Sequence, residues 1–448
     1  MIRLPRTGLL RIGAVASLAA ALLTASTSTA APAAGRTHVP VSVPAANAAA
    51  PFDQSRSLVM PAGWHAEVWA RVSGARYALW TPAGTLLVTA TGAGEVLELV
   101  PRSNPASPPS VRVLASGLTN PQGLAFDTLG KQRMLYVAES DQIDRYVWRG
   151  RGSLGARTVV VRGLPDDSAS GDDVHRLKGI AVGPDHSIYV TVGSAWNANG
   201  ADTTTSPPRG AVYAFDSNGA HRRVFAAGVR NGEGLAFAPD GTLWTAVNER
   251  DNVPYPFHRS YDGVSDAYGH VMQSYVNENP PDEVARLTAG RNLGWPYCNP
   301  SADVVPGNPE AGQDYDRPRF VRDVQTNPDG RSLDCSKLAA IDRPIPAHSA
   351  PVSLTFLEGS TLPARWRGGA VVGAHGSWDR SPPRAPAVLW LPWSTARRTL
   401  SSATPLVSGF QLAGGQRWGR PVDAVPGPGG ALYVTDDTAG AVYRITTR

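Results

Sequence analysis

The chain has 448 residues, 42% of them hydrophobic and 18% charged, with a formal net charge of +5 at neutral pH. That balance is too even for a nucleic-acid-binding surface. Three of the positive charges, Arg3, Arg6 and Arg11, sit ahead of an apolar run from Ile12 to Leu23 and small residues ending Ser28-Thr29-Ala30, so they leave with an expected signal peptide over residues 1–30.

No later stretch approaches the roughly 18 continuous apolar residues that a membrane helix needs. The expected location is therefore the periplasm or the extracellular medium, without a membrane span. Residues 31–55 are Ala- and Pro-rich with few large apolar side chains and read as a disordered lead-in, followed by one folded domain over 56–448. Lysine occurs only at 131, 178 and 337, which limits the basic chemistry to arginine and histidine. The two cysteines, Cys298 and Cys335, are expected to pair under the oxidising conditions that an exported chain meets.

Within that domain one template recurs. His175-Arg-Leu-Lys-Gly-Ile-Ala-Val-Gly-Pro-Asp and Arg230-Asn-Gly-Glu-Gly-Leu-Ala-Phe-Ala-Pro-Asp share a polar opening, a glycine, a short apolar run and a Pro-Asp turn, each followed by a second strand. Gly123-Leu-Ala-Phe126 with Met134-Leu-Tyr-Val is a third copy, and weaker copies start at Arg76, His348 and Arg420. Anchored on Ala78, Gly123, Gly179, Gly234, Ser353 and Asp423, the repeat predicts an all-β, six-bladed β-propeller of four-stranded antiparallel blades. A pair of β-sandwiches is the competing fold. The step from Gly234 to Ser353 is far longer than the others, and the stretch Arg250–Pro346, rich in Pro, Asn, Asp and Gly, predicts long loop insertions on one face, stapled by the disulfide. Trp64-His-Ala-Glu-Val-Trp-Ala and Ala441-Val-Tyr-Arg-Ile, near the two ends, alternate as strands that would close the ring.

In a propeller the residues just before each anchor face one mouth. Those positions hold Arg76, Asn120 and Gln122, His175 and Lys178, Arg230 and Asn231, His348, and Arg417 and Arg420. A ring so cationic predicts an anionic ligand, and forked guanidinium groups favour a carboxylate-rich one. The alternative is that each arginine pairs with a loop acid such as Asp172, Asp173, Glu233 or Asp251. His175, titrating near neutrality, is a candidate general base that Asp172 and Asp173 could orient.

These motifs, with Tyr189-Val-Thr-Val-Gly-Ser194, Asn248-Glu-Arg-Asp251, Asn292-Leu-Gly-Trp-Pro-Tyr-Cys298 and His375-Gly-Ser-Trp-Asp-Arg380, resemble in the same order the soluble quinoprotein sugar dehydrogenases, in particular their sorbosone dehydrogenase-like branch. The resemblance implies a propeller that holds pyrroloquinoline quinone and Ca²⁺ at its mouth and oxidises an aldose or sugar aldehyde. It places His175 as the base and Arg230 and Asn231 beside the reacting quinone oxygen, where a fixed cation stabilises developing charge. Arg76, Asn248, His348, Arg417 and Arg420 become further cofactor contacts. The main-chain carbonyls of Glu249 and Arg250, with Asp251 beside them, become the calcium ligands. Asp282-Glu283 match the pattern of a second calcium or a solvated acidic loop.

The chain departs from the family where glucose-specific members use a fifth-blade lysine, since no lysine follows Lys337; His375, Trp378 or Arg380 would replace it. Asp379 stands where that branch has Asn, and Trp196 where cysteine is common. The implied partners are a sugar and an external electron acceptor, whether quinone, cytochrome or dye, with the protein a monomer or homodimer. Two other functions fit a secreted propeller: a calcium-dependent lactonase, which would need carboxylates converging on one metal, and a non-catalytic binding module.

Overall fold

The structure, a computed structural model, describes residues 35–166 and 175–447. The expected signal peptide, Asp172 and Asp173 lie outside the described residues. Residues 36–448 form one compact unit.

The fold is a six-bladed β-propeller. Five blades are antiparallel sheets built around four strands taken in chain order, and the sixth combines strands from both ends of the sequence. The inner strands, Ala75–Trp80, Leu124–Leu129, Ile180–Val182, Gly234–Phe237, Thr355–Phe356 and Pro421–Pro426, neighbour one another in a closed ring. Each contains or directly follows its template anchor, as the repeat predicts, with Ser353 two residues ahead of its strand.

The template glycine has a steric cause. A Cβ at Gly179 would lie 2.2 Å from the Glu233 carbonyl oxygen, one at Gly234 would lie 2.6 Å from the Ser353 carbonyl carbon, and one at Gly123 would meet Ile180 at 2.8 Å. Glycine therefore marks the positions where successive inner strands crowd together around the axis. A threonine on the second strand then ties the inner backbone down. Thr89 accepts from the Tyr77 amide, Thr191 from Gly179 and Thr435 from Asp423, while Thr245 donates to the Gly234 carbonyl.

Second strands such as Leu86–Ala90, Ile188–Val192 and Leu243–Val247 are buried along their whole length, which explains their continuous apolar runs. Aromatic residues fill the wedges between blades, as where Trp244 meets Phe356 and Trp393 edge-on. Emptying such a wedge by Trp→Ala costs about 3–5 kcal/mol.

The ring closes as the terminal patterns predict: Trp64–Arg71 pairs antiparallel with Ala441–Thr447. The lead-in, by contrast, is ordered from Arg36 onward. Arg36–Ser42 pairs with Ser57–Pro61 and runs parallel to Trp64–Arg71, extending the closing blade to six strands. Its low hydrophobicity concealed it because main-chain pairing carries the strand, with only Val41 and Phe52 fully buried in the core and Val39 and Val43 packed against its edge.

The long insertion belongs to the fourth blade. It leaves after Leu243–Val247, contains the short helix Gln273–Val276, and, after Asp282–Leu287, adds the hairpin pairs Cys298–Ser301 with Arg319–Arg322 and Asp303–Val305 with Asn308–Gln313. Cys298 and Cys335 form the disulfide, with a Cα–Cα distance of 5.7 Å. Arg250 and Asp323, both buried and 2.5 Å apart, pin the insertion to the root of the mouth. No described helix is long and apolar enough to cross a membrane.

Candidate active site

An inner strand and the second strand of its blade form a hairpin, so the start of the first and the end of the second lie at the same edge. The mouth is consequently built from two slots per blade. The template slot supplies Arg76, Gln122, His175, Arg230, Asn231 and Arg420. The slot after the second strand supplies Ser194, Asn248 and Glu249, His375 and Asp437, of which Ser194 and Asp437 have no role in the sequence reading. Their signal is the strand end itself, in Tyr189-Val-Thr-Val-Gly-Ser and Tyr433-Val-Thr-Asp-Asp.

His175 is held by Ser194. Its Nδ1 lies 2.9 Å from Ser194 Oγ and 3.1 Å from the Ser194 carbonyl. The hydroxyl hydrogen is already committed to the Trp196 carbonyl at 2.7 Å, and a carbonyl only accepts, so Nδ1 carries the proton and the basic lone pair is on Nε2. Burial by the surrounding protein, and next the charge of Arg230, push the His175 pKa well below its ordinary value. The imidazole is therefore neutral at physiological pH, the state a general base requires.

Arg230 is a fully enclosed, anchored cation. Its Nε donates to the Asn197 carbonyl at 3.0 Å, and one terminal nitrogen donates to the carbonyls of Asn248 and Glu249 at 3.0 and 2.7 Å. The other donates to Asn197 Oδ1 at 2.9 Å. Asp251 lies 3.6 Å from that second nitrogen.

Arg76 does not present a free charge. It sits between Glu233 at 2.5 Å and Asp437 at 2.9 Å, with its Nε donating to Gln122 at 2.9 Å. Gln122 and Asn231 also donate to Glu233. For this arginine the loop-acid alternative holds, and an anion is not needed to relieve it. Asp437 reaches onward to His375 Nε2 at 3.3 Å, giving a continuous chain Glu233, Arg76, Asp437, His375 in which only Asp437 is partly exposed.

Arg417 and Arg420 differ. Arg420 donates from Nε to the His375 carbonyl at 3.0 Å, and Arg417 donates to Gln411 and to the carbonyls of Ser377 and Arg384. Neither side chain makes an ion pair with a carboxylate among the described residues. Burial, and for Arg417 next the charge of Arg420, lowers the pKa of both. This is the part of the ring where an anion would be favoured.

Of the remaining expected residues, His348 converges on Asp251, lying 4.0 Å from it. Arg380 turns away and pairs with Glu278 at 2.8 Å. Trp378 is 70% exposed. Among the fifth-blade candidates, only His375 therefore joins the buried network. Asn120 points to Ser140, and Lys178 is buried with its ammonium on the carbonyls of Pro165 and Arg176.

The fold is a six-bladed propeller whose mouth gathers a histidine, a locked arginine and two arginines with no carboxylate ion pair among the described residues. The model of the TrAA12-like family matches residues 58–448, and the chain belongs to that family. Among solved structures, the chain is similar to the holo form of the pyranose dehydrogenase PQQ domain from Coprinopsis cinerea, with a TM-score of 0.67, 18% identity, and 87% of this chain and 97% of that one covered. The calcium structure of a Trichoderma reesei AA12 enzyme gives the same values. The PQQ-bound aldose sugar dehydrogenase from Streptomyces coelicolor superposes with a TM-score of 0.51 at 15% identity, covering 87% of this chain and 100% of that one. At these identities the likeness establishes the fold. A curated relative from Borreliella burgdorferi, an uncharacterized protein, is 24% identical over 261 residues, 58% of this chain; the match spans only 56% of that relative's length.

The residues present fit one of the two groups the resemblance implies. Arg417 and Arg420, bound only to carbonyls and an amide, suit a polycarboxylate quinone. The expected calcium ligands fit less well, because the Glu249 carbonyl already accepts from Arg230 at 2.7 Å.

Proposed function

We propose that the protein is an exported quinoprotein dehydrogenase that oxidises an aldose or sugar aldehyde at the propeller mouth. The observation that carries this reading is His175, fixed by Ser194 in the tautomer with a basic Nε2 and kept neutral beside the locked guanidinium of Arg230. Pyrroloquinoline quinone, when bound, supplies the two-electron acceptor. Arg417 and Arg420 would hold its carboxylates, and Asn231 and Arg230 would lie beside it. His175 Nε2 takes the hydroxyl proton of the sugar as the C–H bond breaks. Arg230 provides a positive charge whose donors are already anchored, so little reorganisation accompanies charge development. With the quinone bound, turnover would need an external acceptor for its two electrons.

The test is reconstitution of purified protein with the quinone and Ca²⁺, followed by dye reduction with a panel of aldoses and sugar aldehydes. Quinone-dependent turnover supports the reading, and failure to bind the quinone overturns it. One observation favours a second reading, lactone hydrolysis on a metal: two carboxylates, Asp251 and Asp379, converge with His348. Lactone hydrolysis by quinone-free protein would support it.

A further inference from the structure

We propose that Asn197 and Trp295 are positioning residues for Arg230: Trp295, from the disulfide-stapled insertion, braces Asn197, and Asn197 holds the guanidinium where charge develops. For its effect on turnover the proposal rests on the dehydrogenase reading. Trp295 belongs to the motif Asn292-Leu-Gly-Trp-Pro-Tyr-Cys298, which places no side chain in either slot of the mouth.

Asn197 lies in the loop after the second strand of the third blade and occupies one whole edge of the guanidinium. Its main-chain carbonyl accepts from Arg230 Nε at 3.0 Å, and its Oδ1 accepts from a terminal nitrogen at 2.9 Å. The same Oδ1 accepts from the Asp251 amide at 2.8 Å, while Nδ2 donates to the Asp251 carbonyl at 2.8 Å. These bonds fix which way the side-chain amide points, because the reversed amide would set its NH₂ against two other donors. One residue thus ties Arg230 to the loop that leaves the fourth blade.

Trp295 secures the main-chain half of that arrangement. It is 2% exposed, and its Nε1 donates at 3.1 Å to the Asn197 carbonyl, the oxygen that also receives Arg230 Nε. Both lone pairs of that oxygen are therefore used. The indole also meets the strand side of Arg230. A Cβ on Gly210 would lie 2.7 Å from the six-membered ring of Trp295, and the Gly210 carbonyl accepts at 2.9 Å from the amide of Val229, the residue before Arg230. Trp295 is itself set from both sides: the Leu293 amide donates to the Ala227 carbonyl at 3.0 Å, and the amides of Tyr297 and Cys298 both donate to the Gly294 carbonyl at 2.9 Å. Packing alone would be served by an indole bonded to any carbonyl. Here the acceptor is the one that already anchors the catalytic cation. Donors held in place before charge develops stabilise it most, and about 1 Å of misplacement can cost about 100-fold in rate.

The experiment compares Trp295→Phe and Asn197→Ala with Trp244→Phe, which alters a buried tryptophan in the wedge between the fourth and fifth blades and serves as the packing control. Crystal structures of the quinone-free proteins give the position of Arg230, and protein reconstituted with the quinone gives kcat and KM. In both test variants the guanidinium should move by about 1 Å or more or split between conformers, with kcat lower by about 10–100-fold and KM within about threefold. Trp244→Phe should lose thermal stability while keeping both the Arg230 position and kcat. Asn197 is half-buried on a loop, so its variant should keep the fold and decide the matter even if Trp295→Phe does not fold. An unmoved Arg230, or a fall in kcat no greater than that of Trp244→Phe, would overturn the proposal. The Arg230 position is read without quinone, so failure of the dehydrogenase reading, seen as no quinone-dependent turnover in the wild type, is told apart from failure of this one.

Discussion

Arg76 begins the first blade and Asp437 ends the hairpin of the sixth, so their ion pair crosses the seam where the ring closes. The side chains are 10% and 20% exposed, with 2.9 Å between charged atoms. At an effective dielectric of about 20, the gross attraction at that distance is about 6 kcal/mol. Asp437→Asn would not forfeit all of it: an amide oxygen can still accept from the guanidinium, Arg76 keeps Glu233, and burying the charge had a desolvation cost. The expected net loss is about 2 kcal/mol, with a similar coupling energy in a double-mutant cycle with Arg76→Met, read from urea midpoints at unchanged m-value. The pH dependence has a definite sign. Burial opposes ionisation of Asp437, but its bonds to His375 and Arg76 outweigh that and hold its pKa far below the ordinary carboxylate value. A depressed carboxylate stabilises above its unfolded pKa of about 3.9 and loses that contribution as the pH falls below it. The coupling should therefore be constant from about pH 5 upward and fade only in strong acid. Additive single mutants, with coupling under about 0.5 kcal/mol at pH 7, would refute the reasoning.

His175→Ala should retain quinone affinity, measured by fluorescence quenching, while turnover falls about 10²–10⁴-fold. Because the pKa of His175 lies well below 6.5, kcat/KM of the wild type should stay level through neutrality and decline only in acid; a limb centred at 6.5 would show that another base operates. Arg420→Met should weaken quinone binding by a factor of about 10 or more and flatten its salt dependence, with little change in kcat at saturation. Reducing the Cys298–Cys335 bond opens a loop with a sequence separation of 37, so thermal stability should fall by up to about 4 kcal/mol, with the insertion showing faster amide exchange first.

The propeller was legible because crowding around an axis forces glycine to recur at Gly123, Gly179 and Gly234, and because second strands buried on both faces leave unbroken apolar runs. The cationic slot was legible for the same reason, since a repeat puts equivalent positions in one place. What the sequence hid was pairing across blades. Glu233 stands among the loop acids the sequence offers as an alternative to an anion, but nothing near Arg76 singles it out or announces Asp437, because both come from distant parts of the chain; an arginine neutralised twice therefore reads as an anion ligand. Arg380 and Trp378 lay in a matching motif, yet one residue pairs with Glu278 and the other faces solvent. The strand Arg36–Ser42 escaped notice because a main chain needs no particular side chains to add itself to a sheet edge.

The closing strand has a kinetic consequence. Trp64–Arg71 has Arg36–Ser42 on one side, but its antiparallel partner is Ala441–Thr447, so the seam cannot form until nearly the whole chain has left the ribosome. Contacts of such long sequence separation are slow to make. The mouth, which needs Arg76 from one side of the seam and Asp437 from the other, is thus among the last parts of the molecule to exist. A nascent chain can therefore bury five blades while still lacking a finished site.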